Sequence, residues 1–96
     1  MEHEQIVRLL SATSEPARLE LIFLLSREGR LNVNEIARHF TLSRPAISHH
    51  LRILKEVRIL RSEKQGQEMY YWLDREHLVS AFRSLADEIE QCEDIP

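Results

Sequence analysis

The chain has 96 residues, 43% hydrophobic and 30% charged, with a formal net charge of −3. That suffices for one small domain, read as a single unit over residues 1–96, whose modest core invites help from a second copy. The longest purely apolar run, Leu21 to Leu25, is too short to cross a bilayer, Met1-Glu2-His3-Glu4 has no signal-peptide character, and the lone Cys92 excludes an internal disulfide. A soluble, cytoplasmic protein is expected, with no membrane partner.

Residues 4–10 carry Ile6, Val7, Leu9 and Leu10 as a short helix. Ser14-Glu15-Pro16 opens a second, with a capping hydroxyl and an early proline, and Leu19, Leu21, Ile22, Leu24 and Leu25 carry it as core to a stop at Gly29. Val33 to Phe40 reads as a third, with Ile36, Ala37 and Phe40 at helical spacing. Thr41-Leu42-Ser43 then connects tightly into a fourth over residues 43–55, capped by Ser43 and stiffened by Pro45.

That fourth helix is the most informative part of the chain. At 100° per residue, Ile47, Leu51 and Leu54 share one side, while Arg44, Ser48, Arg52 and Lys55 line another, flanked by His49. One side anchors and the other is available to a polyanion. A solvated basic face would look the same in isolation, so the neighbouring elements matter. Charge is also divided unevenly: residues 37–67 hold seven basic side chains against two acids, a local +5 that leaves −8 for the remainder. The basic segment suits phosphates, and the acidic remainder discourages indiscriminate binding. A helix, a short turn and a helix form the arrangement whose second member enters the major groove.

After Lys55 the hydrophobic period changes. Arg58 to Ser62 and Met69 to Leu73 read as strands joined by Lys64-Gln65-Gly66-Gln67, a two-stranded wing whose tip (62–68) offers Lys64, Gln65 and Gln67 to a backbone or minor groove. Tyr70, Tyr71 and Trp72 suit sheet positions, with alternation sending Tyr71 opposite to its neighbours. Asp74 caps a last helix to about Cys92, along which Leu78, Ala81, Phe82, Leu85, Ile89 and Cys92 make an apolar stripe. So small a domain has little core to cover it. Ile6, Val7, Leu10, Leu78, Phe82, Leu85 and Ile89 are therefore read as a dimer interface, which would set two reading helices one DNA turn, roughly 34 Å, apart on a palindromic operator. The expected fold is mainly α with a small β-hairpin, in the order α-α-α-α-β-β-α: a dimeric winged helix-turn-helix.

Ser14-Glu15-Pro16-Ala17-Arg18-Leu19, then Leu42-Ser43-Arg44-Pro45-Ala46-Ile47-Ser48-His49-His50-Leu51-Arg52-Ile53-Leu54, then Gly66 to Tyr71, resemble the ArsR/SmtB family of winged helix-turn-helix repressors. The resemblance covers nearly the whole chain. It implies a homodimer joined by the first and last helices, bound to an operator and released by a signal. Carried over, it makes Arg44, Ser48, His49 and Arg52 the groove-facing set, with Lys64 and Gln67 as wing contacts; Ser43, Pro45 and Lys55 complete the expected DNA-binding residues. Arg44 or Arg52 would donate bidentate to guanine. His50, on the flank of the apolar side, is read as a packed structural histidine.

The signal is less legible. Family members that sense thiophilic metals carry a Leu-Cys-Val-Cys pattern before the turn, where this chain has Leu31-Asn32-Val33-Asn34. Neutral amides are poor ligands for soft ions. Members that sense zinc or cobalt use acids and histidines on the last helix, where the matching places hold Arg75, His77, Glu88 and Gln91. A chain that is not a conventional metal sensor is expected, with no cofactor and the inducer unknown; His77, Glu88 and Cys92 are the candidates for a metal- or redox-responsive alternative. In antiparallel last helices, Cys92 would approach His77 of the second copy. A winged-helix module that binds protein is the other alternative. An enzyme is not expected, because no nucleophile and base stand at a recognisable spacing and Gly29 and Gly66, the two glycines, are explained by turns.

Overall fold

The computed structural model describes residues 2–91. The elements run α1 (His3–Thr13), α2 (Pro16–Glu28), β1 (Leu31–Asn32), α3 (Val33–Ala37), α4 (Arg44–Glu56), β2 (Leu60–Gln65), β3 (Glu68–Leu73) and α5 (Arg75–Gln91). Among these residues no helix is long and apolar enough to cross a membrane.

The helix starts follow from local chemistry. Glu15, not Ser14, caps α2 by accepting from the Arg18 amide, while the Ser14 hydroxyl donates back to the Ser11 carbonyl and closes α1. A capping box opens α3: the Asn32 side chain accepts from the Glu35 amide at 2.8 Å, and the Glu35 carboxylate accepts from the Asn32 amide at 2.9 Å. Ser43 caps α4 as its sequence suggests, accepting from the Ala46 amide.

The end of α4 is less ordinary. The Arg58 amide donates to the Lys55 carbonyl and the Ile59 amide to the Leu54 carbonyl, both at 3.0 Å, with Arg58 at φ 65°. This is the two-bond cap that normally places glycine in the left-handed residue, and a side chain there costs about 1 kcal/mol. The reversal drives Ile59 and Leu60 into the core.

The wing differs from the sequence reading in two ways. Its first strand begins at Leu60 rather than Arg58, because Arg58 is used for the helix cap. The hairpin is also one part of a three-stranded antiparallel sheet in the order β1-β3-β2, with Leu31 opposite Tyr71 and Asn32 opposite Tyr70. Two residues are too few to show a strand period. Gln65 pairs with Glu68, leaving Gly66 and Gln67 as a two-residue turn entered at φ 63°.

Leu21, Leu25, Ile36, Ile47, Leu51, Leu54 and Ile59 form the dry centre between α2, α3, α4 and the sheet. The last helix contributes little: Ala81 is its one fully buried residue, and Leu78 packs at the edge of that core. The radius of gyration is 15.3 Å, against about 13 Å for a compact chain of this length. Extents of 56 × 24 × 23 Å describe an elongated body whose final helix is mostly uncovered.

Candidate nucleic-acid interface

The two sides of α4 are divided as its sequence requires. Ile47, Leu51 and Leu54 are at most 1% exposed, while Ser43, Arg44, Pro45, Ser48, His49, Arg52 and Lys55 are all exposed. Burying three branched aliphatic side chains fixes the rotation of the helix about its axis, and that rotation presents the polar side outward. The Arg52 guanidinium lies 3.0 Å from His49 Nδ1, so the two side chains form one exposed unit on a single turn. Arg44 donates to the Asn34 side-chain oxygen of α3, and the Asn34 amide reaches Glu68 of β3 at 3.5 Å. This chain connects the start of α4 to the wing. Lys64, Gln65 and Gln67 stand exposed at the hairpin tip.

His50 is held from behind. Its Nδ1 lies 3.2 Å from an Arg18 nitrogen and 3.9 Å from the Glu15 carboxylate, and its side chain is 14% exposed. Arg18 also donates to the Ala12 carbonyl at 2.6 Å. The junction between α1 and α2 is thereby tied to the middle of α4.

Alternation divides the three aromatic residues of β3. Tyr71 packs against the core, where burial pushes its phenol above the ordinary pKa. Tyr70 and Trp72 face the other way, and the Arg30 guanidinium lies over both, 5.6 and 4.3 Å from the ring centres. Stacked on an arginine, they belong to the scaffold of the wing. Sequence reasoning missed Arg18, Arg30, Asn34 and Arg58. The first three act through partners distant in sequence, and the glycine-like turn at Arg58 has no local residue signature.

Residues 15–62 match the family model described as the bacterial regulatory protein, arsR family. The chain belongs to the ArsR family. It is 33% identical to a transcriptional repressor SmtB homolog of Synechocystis, over 92% of this chain and 66% of that protein. It is 39% identical to the transcriptional repressor SdpR of Bacillus subtilis, over 69% and 72%. A cadmium resistance transcriptional regulatory protein CadC homolog of Staphylococcus aureus is 37% identical, over 76% and 60%. The chain thus spans less than two thirds of the SmtB and CadC homologs. Among solved structures, an ArsR-like transcriptional regulator from Rhodococcus superposes with a TM-score of 0.83 at 25% identity, covering 93% of this chain and 83% of that one. The family is one of winged-helix, DNA-binding transcription regulators.

The ArsR metal patterns named from sequence fit these residues poorly within one chain. Asn32 is occupied as the cap of α3, and Asn34 lies between Arg44 and Glu68. On α5, Glu88 accepts from His3 at 2.6 Å, while His77 lies eleven residues earlier, about 16 Å along the helix. Cys92 lies outside the described residues. Among the described residues no cluster of three or more His, Cys, Asp or Glu side chains is placed to hold an ion.

Of the residues read as a dimer interface, Ile6 is 6% exposed within its own subunit and Leu78 is half-buried against the core. Val7, Phe82 and Ile89 are 64%, 41% and 66% exposed. Leu10 and Leu85 border the apolar groove between α1 and α5 that also includes Val7 and Ile89.

Proposed function

We propose that this ArsR-family chain is a homodimeric repressor that binds a palindromic operator in duplex DNA. In this reading Arg44, Ser48, His49 and Arg52 of α4 face the major groove, Ser43, Pro45 and Lys55 flank them, and Lys64 and Gln67 on the wing meet the backbone. The observation that carries it is the clean division of α4 into a buried aliphatic side and an exposed basic side. For the dimer, support comes from the exposed apolar side chains of α1 and α5 and the groove between those helices.

The signal that releases the operator is assigned to no residue. The expectation that the chain is not a conventional metal sensor draws no support from its relatives, one of which is named for cadmium resistance and others for arsenical resistance. A metal-responsive repressor is therefore the second reading, with His77, Glu88 and Cys92 as candidate ligands shared between copies.

Both readings are tested by binding to a labelled duplex from the gene's own upstream region across a salt series, first with chelator and then with zinc. Neutralised phosphates make the affinity fall steeply with salt. Tight, salt-sensitive binding that zinc leaves unchanged supports the repressor with a non-metal signal, and release by zinc supports the second reading. Absence of duplex binding, or affinity indifferent to salt, overturns both and points to a protein-binding module.

A further inference from the structure

A group of basic side chains gathers away from the residues assigned to base reading. Lys55, Arg58, Arg61 and Ser62 line one open cavity of about 340 Å3 between the end of α4, the root of β2 and the start of α5, with Leu60 and Asp74 completing it. Lys55 is eleven residues from Arg44, about 16 Å along α4, so this cavity lies at the opposite end of the helix from its capped start.

None of the three cations takes part in an ion pair among the described residues. Asp74 borders the cavity, but its carboxylate is engaged, accepting from the His77 amide at 3.0 Å as the cap of α5. The end of α4 contributes about half a negative charge. Its last carbonyls are nevertheless taken by the amides of Val57, Arg58 and Ile59. Three cations line the cavity against the one carboxylate of Asp74, and with Glu56, which lines a neighbouring pocket beside Arg58, the local balance stays positive, the sign a phosphate group requires.

The backbone offers a second observation. Arg58 is the one non-glycine residue at positive φ among the described residues, in a turn that glycine would adopt without strain. The chain therefore tolerates a strained turn and, in return, sets a guanidinium at the rim of this cavity. Guanidinium forks match the paired oxygens of a tetrahedral oxyanion.

We propose that Lys55, Arg58 and Arg61 form a binding site for a phosphate group, carried either by the DNA backbone or by a small phosphorylated molecule. The DNA source rests on the proposed function, whereas the small-molecule source does not. Arg58→Gly is the decisive variant, since it removes the guanidinium and relieves the backbone, so it is expected to melt no lower than the wild type in chloride. The first measurement is thermal melting of the full chain, without DNA, in inorganic phosphate against chloride at equal ionic strength. A saturable rise of the wild-type Tm in phosphate that Arg58→Gly loses establishes the small-molecule source. The second is the salt dependence of duplex binding: a fall of about 0.9 in the slope of log K against log salt in Arg58→Gly establishes the backbone source. The proposal is overturned if both proteins respond equally to phosphate, or neither does, with the slope unchanged. If the chain binds no duplex at all, the proposed function fails and the melting comparison alone decides this site.

Discussion

The Arg30 guanidinium lies 4.3 Å from the centre of the Trp72 ring and donates to Glu63 at 2.7 Å, fastening the turn after α2 to both long strands of the wing. The stack is worth about 0.5–1 kcal/mol, and the exposed ion pair adds less. Trp72 is the single tryptophan of the chain, so its emission reports the stack directly. Arg30→Ala is expected to shift that emission and weaken duplex binding several-fold through a looser wing, while Arg30→Lys, which keeps the charge but loses the planar fork, falls between. Unchanged emission in the alanine variant would show that the stack is not formed in solution.

Arg18 acts on α4 from the side away from its exposed basic residues. Replacing it with alanine strips a partner from both the Ala12 carbonyl and His50, for an expected loss of about 1–3 kcal/mol in urea unfolding. The salt slope of duplex binding should not move. A change in that slope would assign Arg18 to the phosphate-contacting set instead.

Arg52→Ala distinguishes reading from holding. If Arg52 reads a base, affinity falls by about 1–3 kcal/mol and specificity relaxes at one operator position. A uniform loss across all sequences would make it a backbone contact. Because Arg52 and His49 lie 3.0 Å apart, their alanine variants should be non-additive in a double-mutant cycle.

Asn32→Ala removes one half of the capping box and is expected to cost about 1 kcal/mol in thermal or urea unfolding. The paired change of Asn32 and Asn34 to cysteine should confer tight binding of a thiophilic ion, read by thiolate-to-metal absorbance, at the expense of that cap. A stable variant without metal affinity would show that spacing alone does not make the site.

Phe82→Glu places a charge in the apolar groove between α2 and α5, where Phe82 is 41% exposed. If that face is covered by a second copy, sedimentation should show a shift to monomer and operator affinity should drop by more than tenfold. A variant that stays dimeric would move the interface elsewhere.

The central helix was legible because its signal is local: Ser43, Pro45 and the aliphatic spacing of Ile47, Leu51 and Leu54 are all present within one segment. The α2 cap was misread by one residue, since serine and glutamate both accept from an amide and Ser14 had a better partner in the carbonyl of Ser11. Strand β1 was invisible, being two residues defined wholly by their pairing with Tyr70 and Tyr71. Ile6 is buried within its own subunit despite its place on the expected interface stripe, because one side of a short helix can be divided between two neighbours. Arg30 and its aromatic partners are brought together by the sheet, which no local pattern announces.

If a second copy covers the sparsely buried α5, as proposed, the amount of protein becomes a variable of its function. A helix that finds cover only by meeting its counterpart gains stability with each increment of protomer concentration. A young cell with few copies would then hold a population of loose, half-finished readers, and the operator would be occupied only after synthesis had passed a threshold. The regulator would keep its own count before it spoke for any other gene.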